Sequence, residues 1–156
     1  MPRLRQVLDT LEGRPGYELK RASIALHRAM EDAVRPHRLT VAQYACLEVL
    51  VRNPGTSVAD LARGAFVTRQ AAHQVLKKLV DENLVTQTSH PTLGQRSQIA
   101  LTRAGERRRR AAADSVDQVE RTLAGALSGD GAARLPALLR AVTNVLETSQ
   151  SRDAAA

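Results

Sequence analysis

The sequence predicts a mainly α-helical fold with one small β-hairpin, and three features of residues 57–102 carry that expectation. Ser57 to Gly64 reads as a short helix, Thr68 to Asp81 as a longer amphipathic one, and Leu84 to Leu101 as two alternating, β-branched strands around a loop. Two helices joined by a tight turn and followed at once by a hairpin spell a winged helix-turn-helix, the hairpin being the wing.

Residues 1–16 end in the breaker cluster Gly13-Arg14-Pro15-Gly16; Leu4, Val7, Leu8 and Leu11 have helical spacing, so this segment is either a short helix or a loose arm. From Tyr17 to His37 the pattern is helical, with Leu19, Ala22, Leu26, Met30, Ala33 and Val34 on one side. Pro36 is expected to end it, because the residue before a proline is disfavoured in the α region. Thr40 and Gln43 make a capping box for the next helix, whose stripe is Val41, Tyr44, Leu47, Leu50 and Val51, and Asn53-Pro54-Gly55 stops it. The Tyr44 hydroxyl either faces a ligand or, as buried tyrosines usually do, finds a local partner such as a backbone carbonyl.

Ser57 with Asp60 starts the following helix, Gly64 breaks it, and the turn falls at Ala65–Val67. Thr68 offers its hydroxyl as the cap of the next helix, in which Ala72, Val75, Leu76, Leu79 and Val80 share one face. The other face carries Arg69, Gln70, His73, Gln74, Lys77 and Lys78, with no acid before Asp81. A helix in the major groove needs that combination, cations for phosphates and forked side chains for base edges. An ordinary solvated face could look the same; the hairpin that follows favours the first reading. Asn83 suits a left-handed helix stop, Leu84–Ser89 and Arg96–Leu101 are the strands, and His90–Gln95 is the loop, placing Arg96 at the wing.

Thr102 can cap a helix running to about Leu127, with Val116, Val119, Leu123, Ala126 and Leu127 as a seam. Its run Arg107 to Arg110 spreads around a full turn, as a solvated helix start or as phosphate contacts beside the wing. After the turn Ser128–Gly131, the last helix shows Leu135, Leu138, Leu139, Val142, Val145 and Leu146 on one stripe, too apolar to leave in water. A two-fold partner would cover it. The expected organisation is therefore an arm (1–16), a dimerisation helix (17–39), a winged helix-turn-helix domain (40–102), C-terminal dimerisation helices (103–149) and a disordered tail (150–156).

The totals agree. Lys and Arg outnumber Asp and Glu by 23 to 16, which favours a polyanionic partner. Tyr17, Tyr44 and Phe66 are the only aromatics, too few for the stacking platforms that hold single strands or RNA loops, so duplex DNA is the better partner. No run of about 18 apolar residues and no leader-like segment is present, and a cytoplasmic protein is expected. The single cysteine, Cys46, excludes an internal disulfide; it is expected to be a small buried residue, with oxidant sensing as the alternative. The sequence holds no GxGxxG, P-loop, HExxH or GxSxG, and its four histidines lie on separate segments. No enzyme, metal site or cofactor is expected.

The chain resembles the MarR (multiple antibiotic resistance regulator) family. The carrying residues are Val58, Leu61 and Ala62, then Val67–Thr68–Arg69–Gln70, Leu76 through Leu79, Asn83–Leu84–Val85, Arg96, and Leu101–Thr102–Arg103–Ala104–Gly105. One departure is that the family's acidic residue before the wing arginine is replaced here by Leu93, Gly94 and Gln95. The resemblance implies a homodimeric transcription regulator on a pseudo-palindromic duplex operator, two recognition helices reading half-sites about one turn (~34–36 Å) apart. Arg69, Gln70, His73 and Gln74 are the expected base readers. Lys77, Lys78 and Arg96 are assigned to phosphates or the minor groove, and Thr68 to the cap and a phosphate. The resemblance also implies a small aromatic or anionic effector, for which Tyr44, Arg28 and His27 are candidates. The alternatives are an architectural protein indifferent to DNA sequence, and a redox- or metal-sensing regulator of the same fold.

Overall fold

The structure, a computed structural model, describes residues 11–88 and 98–153. Helix α1 spans Pro15–Val34, α2 Val41–Arg52, α3 Val58–Gly64 and α4 Arg69–Asp81; strands β1 (Val85–Thr88) and β2 (Gln98–Leu101) follow, then α5 (Arg103–Gly125) and α6 (Gly131–Asp153). This is a winged helix-turn-helix extended by helices at both ends. The chain divides into two compact units at Val116/Asp117, inside α5, and each is described by itself.

Local signals set most boundaries. Pro15 opens α1 at a position where its missing N–H is no loss. At the other end the expectation for Pro36 needs correcting. Arg35 keeps right-handed helical angles (φ −55°, ψ −43°), and Pro36 sits within a single 3-10 turn, Arg35–His37. The chain turns away at Arg38, φ 56°, where Leu39 N–H donates to the Val34 carbonyl. The proline therefore tightens the helix end rather than expelling its neighbour, and the left-handed residue makes the stop. Thr40 and Gln43 form the reciprocal capping box of α2, at 3.2 and 2.9 Å. The Glu31 carboxylate of α1 accepts from Val41 N–H at 3.0 Å, fixing α2 against α1.

The core of the first unit is built from Val34, Leu39, Tyr44, Cys46, Leu47, Leu50, Leu61, Leu76, Leu79, Leu84, Val85, Ile99, Ala112 and Val116. Every element from α2 to α5 contributes, so α4 and the hairpin share one packed centre. Val51 departs from the expected stripe and is exposed at the end of α2. Strands β1 and β2 pair antiparallel with Val85 opposite Leu101 and Gln87 opposite Ile99; Val85 and Ile99 are buried while Thr86, Gln87, Thr88 and Ala100 are exposed. The hairpin loop with Arg96, and residues 1–10, lie outside the described residues.

The N-terminus of α5 rests directly on the end of α4. Thr102 donates its hydroxyl to the Asn83 carbonyl at 2.7 Å and accepts from Gly105 N–H at 2.9 Å. A Cβ on Gly105 would stand 2.0 Å from the Leu84 carbonyl oxygen, so only glycine permits this approach.

Two apolar faces stay uncovered in the single chain. Leu19 and Leu26, seven residues apart, share an exposed face of α1, and in the second unit Leu138, Leu139, Val142, Val145 and Leu146 form an exposed stripe along α6. Helix α6 continues through Asp153, into the segment expected to be a disordered tail. Among the described residues no helix is long and apolar enough to cross a membrane.

Candidate nucleic-acid interface

Helix α4 is held from three sides. Its start is capped by Thr68, whose Oγ accepts from Ala71 N–H at 3.1 Å. Ala72, Leu76 and Leu79 are buried in the core. Its end is closed at Asn83, φ 56°, with Leu84 N–H donating to the Leu79 carbonyl at 2.8 Å. With that face committed, Arg69, Gln70, His73, Gln74, Lys77 and Lys78 are all exposed. None of the six side chains makes a hydrogen bond or ion pair with another described residue. Several arginines elsewhere are tied down, Arg21 to Glu18, Arg35 to Asp32, Arg52 to Glu48 and Arg63 to Asp60. The α4 face is thus a strip of unspent donors and charge.

The preceding helix is fixed by the Ser57 cap. Asp60 N–H donates to Ser57 Oγ, which donates in turn to the Asp60 carboxylate at 2.6 Å. That hydroxyl, with the Arg63 guanidinium beside it, holds the Asp60 carboxyl below its ordinary range.

Gln74 and Lys78 also line a cleft of about 550 Å³ together with Thr40, Gln43, Ala71, Val75 and Glu82. They stand at the side of α4 that faces the start of α2, whereas Arg69, Gln70, His73 and Lys77 lie away from it.

The arginine run at the start of α5 divides unequally. Arg109 is only 14 % exposed and donates to the Glu48 carboxylate of α2 at 2.7 Å and to Glu106 at 2.9 and 3.0 Å. Arg108 pairs with Glu82 at 2.6 Å and Arg110 with Glu106 at 2.6 Å; Arg107 is exposed. Burial pushes the Glu48 carboxyl upward, but hydrogen bonds from Arg109 and the Tyr44 hydroxyl outweigh it and hold Glu48 below the usual value. The Arg109 guanidinium draws Glu106 down to about 2.

The sequence profile of the MarR family matches residues 38–96. The Mycobacterium tuberculosis protein Rv2887, an HTH-type transcriptional repressor, is 38 % identical over 90 residues, 58 % of this chain and 65 % of that one. A crystal structure of Rv2887 superposes with a TM-score of 0.63 at 30 % identity, covering 85 % of this chain and 95 % of that chain. The chain belongs to the MarR family. The sequence match of this MarR-family chain spans 65 % of the length of the curated Rv2887. Two further solved relatives are similar: CouR bound to a 23-mer DNA duplex (TM-score 0.77, 27 % identity, 85 % and 94 % covered) and Streptomyces coelicolor PcaV with its natural ligand (0.75, 25 %, 86 % and 94 %).

Within this MarR-family fold the expected DNA residues of α4 share one exposed helix, and Thr68 spends its hydroxyl on the cap. Of the effector candidates, His27 and Arg28 are neighbours on α1 and Tyr44 lies on α2. Tyr44 is buried with its hydroxyl on Glu48, a local partner as expected but a carboxylate rather than a carbonyl; His27 is exposed 3.9 Å from Glu31, and Arg28 is exposed. None of the three lines the cleft beside α4. Cys46 is fully buried, which pushes its thiol up to about 11. Arg109 is the residue that both sequence readings of the run missed, since it is neither solvated nor directed at phosphate. Its spacing from the buried Ala112 and Val116, i+3 and i+7, was the available signal.

Proposed function

We propose that this chain is a transcription regulator, most simply a repressor, that acts in the cytoplasm as a homodimer on a pseudo-palindromic operator in duplex DNA. The observation that supports it best is the α4 face: seven exposed residues from Thr68 to Lys78, six of them uncommitted basic or amide side chains, on the second helix of a helix-turn-helix. Arg69, Gln70, His73 and Gln74 are assigned to base edges; Lys77, Lys78 and the wing Arg96 to phosphates or the minor groove. The exposed apolar stripes of α1 and α6 are the surfaces a second copy would cover. Support also comes from Rv2887 and CouR, each solved in complex with DNA. Rv2887 is solved with salicylic acid too, and a small aromatic acid is the proposed effector class here. To switch the protein it must bind one spacing of the two α4 helices better than the other.

The test is selection of bound duplexes from random DNA, followed by titration of the selected operator and a scrambled control in one buffer. Gln70→Ala and Arg69→Ala should weaken operator binding more than scrambled binding; equal losses would move both residues to the backbone. Arg96→Ala should weaken both and lower the salt slope by about one. Equal wild-type affinity for operator and scrambled DNA would replace this reading with the architectural one.

A further inference from the structure

The turn between α3 and α4 places two unfavourable features on one residue. Val67 N–H donates to the Ala62 carbonyl at 3.0 Å and Phe66 N–H to the Arg63 carbonyl at 3.2 Å. This bond pair closes α3 and requires a left-handed residue between them, a place ordinarily filled by glycine. Phe66 fills it, at φ 55°, where a Cβ crowds the next carbonyl. Asn83 meets the same demand after α4 with a residue type that tolerates it. The ring recovers nothing by packing, because Phe66 is 95 % exposed. Its neighbour Val67 packs against the core, so the turn itself does not need the ring. It is also the sole phenylalanine of the chain.

In the free protein, then, Phe66 is a strained backbone carrying an apolar ring in water. What distinguishes the position is its place immediately ahead of Val67 and the Thr68 cap, at the leading end of α4. A recognition helix meets base edges with its N-terminal residues. Arg69 follows the turn closely in sequence, with no side-chain partner among the described residues, so the surroundings attract phosphate while the ring itself offers only apolar area.

We propose that Phe66 is a DNA-contacting residue that lays its ring on an apolar patch of the duplex beside the bases read by Arg69 and Gln70. Two DNA groups have that chemistry, the C5 methyl of thymine in the major groove and the face of a deoxyribose. The proposal rests on the reading of α4 as a recognition helix and adds a contact of a different physical kind. A ring that displaces water releases no counterion, so it strengthens binding equally at every ionic strength, unlike Lys77 or Lys78.

The experiment uses the full-length protein and the operator selected by the wild type, with anisotropy titrations across a salt series and thermal melts. Phe66→Ala and Phe66→Gly are both expected to weaken operator binding about tenfold, with an unchanged slope of log affinity against log salt. Phe66→Tyr, which keeps the ring, should bind as the wild type does. Phe66→Gly removes the crowding and should melt at or above the wild-type temperature, so its lost affinity is not lost folding. Uracil in place of individual operator thymines identifies the DNA group. A position where uracil weakens the wild type but not Phe66→Ala marks the methyl; no such position assigns the deoxyribose. The proposal is overturned by Ala and Gly variants within twofold of wild type, by a Tyr variant as weak as Ala, by a reduced salt slope, or by a Gly variant that melts lower. If the wild type selects no operator at all, the recognition-helix reading fails and takes the proposal with it. If it selects one that the Phe66 variants still bind fully, only the proposal fails.

Discussion

Arg109→Met removes the guanidinium that joins α5 to α2 and keeps an apolar stem of similar length. In the wild type, Glu48 and Arg109 are each 14 % exposed and 2.7 Å apart. Stranding one charge of a fully buried pair costs about 3–5 kcal/mol. Here Glu48 keeps Arg52 and the Tyr44 hydroxyl, and Glu106 keeps Arg110, so about half of that, roughly 2 kcal/mol, is expected. For a chain of this size that lowers Tm by about 6 °C. Urea and thermal melts at one fixed protomer concentration measure it, and a double-mutant cycle with Glu48→Gln should give a coupling of about 1 kcal/mol. Acid adds an independent arm. Arg109 holds Glu48 below its ordinary range and Glu106 at about 2. A carboxyl depressed by folding stabilises the protein above its unfolded pKa of about 4.3, and that stability is lost as pH falls toward the folded value. Wild-type stability should therefore decline between about pH 5 and pH 2, and the variant's decline should be shallower. A loss under about 0.5 kcal/mol, an additive cycle, or an unchanged acid profile would refute the clamp.

Three other perturbations separate local from tertiary effects. Gly105→Ala drives a methyl into the Leu84 carbonyl oxygen, 2.0 Å from an ideal Cβ; a loss of about 3 kcal/mol or failure to fold is expected, and a wild-type denaturation midpoint would show that α5 does not rest there. Cys46, buried with its thiol raised to about 11, should react with a thiol reagent at pH 8 only in urea; stoichiometric labelling of the native protein would return it to the list of sensors. Val145→Glu and Leu138→Glu place charge on the exposed α6 stripe, and sedimentation should show a monomer that binds operator more weakly; an unaltered dimer would put the pairing surface elsewhere.

The caps at Ser57, Thr68 and Thr102, the Thr40–Gln43 box and the Asn83 stop were all legible in the sequence. Each depends on a hydrogen bond or backbone angle set within a few residues, and side-chain type decides that locally. The periodicity of α4 was legible for the same reason. Once Ala72, Leu76 and Leu79 are turned inward, Arg69, Gln70, His73 and Lys77 can only face out.

Tertiary structure decided what depends on distant segments. Glu48 and Arg109 are separated by 61 residues; the spacing of Arg109 from Ala112 and Val116 turns it inward, but nothing near either residue says that its partner would be a carboxylate on α2. The closeness of Gly105 to Leu84, the 3-10 turn at Pro36 and the full exposure of Phe66 likewise follow from how the helices pack. Sequence therefore determined which helix carries the charge and which face it shows, because those are properties of a single turn of backbone. The tertiary structure determined which of those charges are free to meet a partner, because a charge is neutralised by whatever the fold brings within about 4 Å of it.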